Sequence, residues 1–136
     1  MYKRKTNLGS TRYRTVSDTP RLPDIPYYQA APVQHWIISD VLGERVRQDA
    51  KWGEQNHPNG TSSDAAATAR ADAARQACQD AAERGQVTWR LIAAEELAEA
   101  FAETDLDALY TEVVQSMAVL MNWAEHLRRQ GAKPVA

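Results

Sequence analysis

The chain is short of cysteine and phenylalanine, with one of each, and has no long apolar run. Cys78 alone excludes an intrachain disulfide and a thiolate metal cluster, and it fits a reducing compartment, so a cytoplasmic location is expected. No stretch approaches the roughly 18 consecutive apolar residues of a membrane span, and the basic N-terminus has no apolar core of a signal peptide. The chain therefore reads as an unprocessed protein with no membrane partner. No segment alternates apolar and polar residues convincingly, and β-branched residues are scattered, which disfavours strands. Internal repeats are also missing.

What is present is alanine, carboxylates and enough apolar surface for a core. With 136 residues, 43% of them apolar, one all-α domain is expected. The net charge of -2 hides two unlike parts. Residues 1–31 carry six Lys or Arg against two Asp, and residues 32–136 carry ten against sixteen Asp or Glu. Residues 1–31 mix this basic charge with Pro20, Pro23 and Pro26 and show no period, so they read as an extended arm. Its tyrosines, Tyr2, Tyr13, Tyr27 and Tyr28, suit stacking on nucleic acid, but packing of the arm on its own or a neighbouring subunit, or plain solvation, is the favoured reading.

Four helices are expected in residues 32–136. The first runs from about Pro32 to Lys51, with Ile38, Leu42 and Val46 as its apolar stripe. A loop follows that carries Trp52 and His57 among Gly, Pro and Asn. Trp52 plugging the bundle end and His57 exposed is the plainer reading; a binding loop is the sharper one. Thr61, Ser62 or Ser63 caps a second helix from about Asp64 to Glu83, ended by Gly85, with Ala67, Ala71, Ala74, Cys78 and Ala81 as a thin packing stripe. Thr88 caps a third helix to about Glu103, and a fourth spans Leu106 to about Gln130. From Glu112 to Ala124 the fourth helix is apolar over most of its circumference, so burial on most sides is expected, most simply by a homodimer or homotetramer.

The third helix carries Glu95, Glu96, Glu99 and Glu103. At about 100° per residue, Glu96, Glu99 and Glu103 share one face, with Glu95 at its margin. Most such faces are solvated, and Glu103 beside the turn fits that description. Glu112 does not, because a carboxylate on an apolar helix is costly unless paired or metal-bound. Arg90 and Lys51 are the nearest cations by topology. If the third and fourth helices form an antiparallel hairpin, Glu96 and Glu99 face Glu112 and Gln115, a set of hard oxygen ligands that suits Mg²⁺ or Mn²⁺. Convergence within about 5 Å would support a shared cation. A ferritin-like di-metal site is disfavoured, since the only Glu-x-x-His pair, Glu54 and His57, lies in a loop.

Glu95-Glu96-Leu97-Ala98-Glu99, twelve intervening residues, then Glu112-Val113-Val114-Gln115, resembles the EExxE and ExxD pair of the MazG-like, all-alpha nucleotide pyrophosphohydrolase superfamily. The resemblance covers roughly residues 32–130 and leaves the arm outside. It implies a helical dimer or tetramer that holds Mg²⁺ and hydrolyses a (d)NTP to the monophosphate and pyrophosphate. By the same resemblance Glu96, Glu99 and Glu112 are metal ligands, and Glu95 or Glu96 orients the attacking water. Gln115 stands where the family has aspartate, and its amide offers oxygen without charge. Lys51, Trp52, His57, Arg90 and Asn122 are the substrate-binding candidates, with Trp52 placed to stack on a base and Lys51 and Arg90 to meet phosphates. The competing expectation is a non-catalytic helical protein that binds a nucleotide or a partner.

Overall fold

The computed structural model describes residues 32–135. The arm assigned to residues 1–31 lies outside the described residues. Within them the fold is all-helical: α1 (Pro32–Trp52), α2 (Ala65–Glu83), α3 (Trp89–Phe101) and α4 (Leu106–Arg129). None of these helices is long and apolar enough to cross a membrane.

Side-chain caps set the helix starts. Asp64, one residue beyond the expected Thr61 to Ser63, accepts a hydrogen bond from Ala67 N (2.7 Å), while Ser62 Oγ accepts one from Asp64 N (3.2 Å). Thr88 accepts from Leu91 N and Asp105 from Ala108 N, starting α3 and α4. At the end of α2, Gly85 takes φ 67°, which lets Gln86 N reach back to Ala81 O and Gly85 N to Ala82 O. At the α3–α4 turn Glu103 is partly exposed, and its carboxylate folds back to accept hydrogen bonds from Thr104 N and Asp105 N.

The α3 and α4 helices form the expected antiparallel hairpin, with Trp89 at the start of α3 beside His126 near the end of α4 (ring centroids 6.1 Å apart). Small residues bring α2 onto α3, since Ala67, Ala71, Cys78 and Ala81 are buried on its inner stripe and Ala93 and Ala100 on α3. The α1 helix packs on α4, where Gln34 donates to Glu125 (3.1 Å).

One packing expectation, the apolar stripe of α1, differs from the structure. On α1 the buried apolar residue is Ile37, whereas Ile38, Leu42 and Val46 face outward, Val46 being 68% exposed. On α4 only Ala108, Glu112 and Ser116 are buried. Tyr110, Val113, Val114, Met117 and Leu120 remain open, so one copy of the chain does not bury this helix on most sides. The reason is geometric: the elements packed on α4 are α3 and α1, and they cover part of its circumference.

Candidate metal centre

The buried side chains of α2, α3 and α4 are mostly alanine, with three carboxylates among them. Glu95 (1% exposed), Glu96, Glu112 and Ser116 are buried there, and the largest fully buried side chains among the described residues are Glu95 and Cys78. The hairpin explains how they meet. Glu96 and Glu99 lie one turn apart on α3, and antiparallel pairing brings Glu112 of α4 opposite them. One carboxylate oxygen from each of Glu96, Glu99 and Glu112 lies within 4.8 Å of the other two. Glu96 Oε2 and Glu112 Oε2 are both shut off from solvent.

Three carboxylates at this spacing repel one another unless a positive charge stands among them or a proton is shared. Among the described residues a cation reaches the cluster from α2, a helix not expected to contribute to the site. Arg75 of α2 donates through Nε (3.2 Å) and Nη2 (3.0 Å) to Glu99 Oε1, and through Nη1 (2.8 Å) to Asp72 Oδ1. Burial works against the charged guanidinium, but hydrogen bonding and Coulomb attraction to Glu99, and then to Asp72, outweigh it and raise the Arg75 pKa. A signal was present, since Arg75 sits within the small-residue stripe of α2, four residues after Ala71 and three before Cys78.

Ser116 is the second residue without an assigned role in the sequence. It follows Glu112 by one turn on the same face of α4, and its Oγ is buried with no hydrogen-bond partner. A buried hydroxyl with nothing to bond is uncommon in a folded protein. Helix geometry puts it one turn from Glu112, one of the hard oxygen donors. The donor set fits a divalent cation such as Mg²⁺ or Mn²⁺, with Glu96, Glu99 and Glu112 as the residues that would hold it.

The remaining expected residues fall in several places. Glu95 is more deeply buried than the three converging carboxylates and is not one of them. Gln115 is half-buried at the margin of the Glu112 face. Asn122 is exposed, about 15 Å farther along α4 than Glu112 at 1.5 Å per residue. Arg90 is exposed two and a half turns before Glu99, on the opposite side of α3. Lys51 and Trp52 stack on each other at the end of α1 (Nζ 4.7 Å from the ring centroid), and His57 Nε2 lies 3.1 Å from Gln55 Oε1. All three are exposed.

Comparisons with protein-family models, with curated proteins and with solved structures returned no match for this chain.

Proposed function

We propose that the chain is a Mg²⁺-dependent nucleoside triphosphate pyrophosphohydrolase of the MazG-like kind, releasing pyrophosphate from a (d)NTP. The observation that carries this reading is the convergence of Glu96, Glu99 and Glu112 from two helices onto one point. In the proposed enzyme those three residues hold the cation, and Glu95 or Glu96 orients water for attack on the triphosphate. When bound, Mg²⁺ neutralises charge on phosphate oxygens and makes a nearby water more acidic. The open apolar faces of α1 and α4 support a homodimer or homotetramer, because the individual helices leave them uncovered. Trp52 and Lys51, stacked and exposed, remain available to a base or a phosphate brought by such an assembly.

A second reading has its own support. Gln115 replaces the family aspartate, and Arg75 already gives Glu99 a cationic partner, as in a non-catalytic helical nucleotide-binding or protein-interaction module. One experiment separates the two. Purified protein is incubated with a panel of (d)NTPs and Mg²⁺, and pyrophosphate release is measured. The enzyme reading expects turnover, with Glu96→Gln reducing it by more than the about 10- to 100-fold that a supporting residue near a metal costs. No turnover, together with unchanged metal and nucleotide binding in Glu96→Gln, would leave the binding module.

A further inference from the structure

We infer that Arg75 has two roles in succession at this site: counter-ion to Glu99 while no metal is bound, and contact to a phosphate oxygen of the ligand once a divalent cation occupies the carboxylates. The inference rests on the metal centre proposed above and adds the anion-binding residue that it lacks. Arg90 and Lys51, the cations suggested by topology, are respectively on the far side of α3 and stacked on Trp52.

Three observations point to Arg75. Its guanidinium directs two donors at a single oxygen, Glu99 Oε1, and Glu99 is one of the three converging carboxylates. A cation at the centre and the guanidinium therefore compete for the same carboxylate charge. The second partner, Asp72, is 65% exposed and offers a weak, water-facing alternative, while the Arg75 side chain is itself 35% exposed. The group thus has both a reason to leave Glu99 and open space in which to meet an anion. Arginine also has the planar fork that matches phosphate oxygens. An acidic cluster alone does not argue for a ligand. The independent observation is Ser116, 5% exposed, with its Oγ unbonded on the Glu112 face of the cluster.

The test uses the full chain, Mn²⁺ as the metal probe and inorganic pyrophosphate as the anion probe. Mn²⁺ binding is followed by electron paramagnetic resonance, and binding of the Mn²⁺-pyrophosphate complex by calorimetry, in wild type, Arg75→Gln and Arg75→Lys. Far-ultraviolet circular dichroism checks that each variant is folded. In Arg75→Gln, Mn²⁺ alone should bind about threefold or more tightly, since a competing charge has gone. The same variant should bind Mn²⁺-pyrophosphate about tenfold or more weakly, the loss of one hydrogen bond between charged groups. Arg75→Lys, which keeps the charge, should lie between wild type and Arg75→Gln in both measurements. If wild type binds Mn²⁺ and the substitutions shift both affinities in the same direction, or neither, the role of Arg75 is overturned and the metal centre stands. If folded wild type binds no Mn²⁺, the metal centre is overturned and the inference with it.

Discussion

At Glu112 the chemistry of one residue runs against its surroundings, and the structure shows how it is accommodated. A carboxylate buried on α4 meets two others, those of Glu96 and Glu99. Like charges this close repel one another, and the ion pair of Arg75 with Glu99 offsets part of that repulsion. The effect expected of Glu112→Gln is on the response to metal. With Mg²⁺ or Mn²⁺ at about a hundred times its dissociation constant, wild type should gain about 2.7 kcal/mol and the variant should not. Thermal melts of both proteins with and without the ion measure this difference. A variant that gains as much from the ion as wild type would remove Glu112 from the centre.

At the scale of the element, the helices were legible because their ends carry chemistry of their own. Thr88, Asp105 and Gly85 mark boundaries that need only local hydrogen bonds and backbone freedom. The α2 stripe was legible for a similar reason, since alanines and a cysteine at helical spacing on an otherwise polar helix leave one face to bury. The hairpin, and with it the meeting of Glu96 and Glu99 with Glu112, followed from the short connection at Thr104 and Asp105. Less could be read where two solutions were equally apolar. On α1, Ile37 and Ile38 both begin plausible stripes, and the choice depended on where α4 would lie. Arg75 was missed because its place in the α2 stripe marks it as facing inward without saying which carboxylate of α3 it meets, which is a tertiary fact.

The start of α2 gives the prediction that belongs to this scale. Asp64 has a lowered pKa, first because its carboxylate accepts from Ala67 N and then because of its bond with Ser62. A group whose pKa falls on folding contributes stability above its unfolded pKa, and that contribution disappears as pH drops through the lower, folded value. Asp64→Ala should therefore be less stable than wild type at neutral pH, and the gap should shrink as pH falls below about 4, the ordinary range of an aspartate. Chemical denaturation of the two proteins across pH 7 to 2.5 checks this; a gap that is constant with pH would assign it to something other than the charged cap.

For the whole molecule, the distribution of apolar surface is the decisive feature. Buried positions among the described residues are largely small side chains, while Trp36, Leu42, Val46, Tyr110, Val113 and Met117 are open. Contiguous apolar faces of this kind mark association surfaces. Light scattering is expected to find wild type as a dimer or tetramer. Leu42→Glu combined with Met117→Glu should shift it toward smaller species, each substitution removing a side chain worth about 1.5 to 3 kcal/mol when fully buried. A wild-type protein that is strictly monomeric at working concentration would refute the assignment.

The attachment of α1 has a further consequence for how the molecule opens. The α2, α3 and α4 helices follow one another in the chain and pack on their sequence neighbours, so their contacts close short loops. The first helix packs instead on the last, through contacts such as Gln34 with Glu125, across most of the described chain. In a single copy it therefore docks late and detaches early, and its amide protons exchange with solvent through openings that leave the other three helices intact.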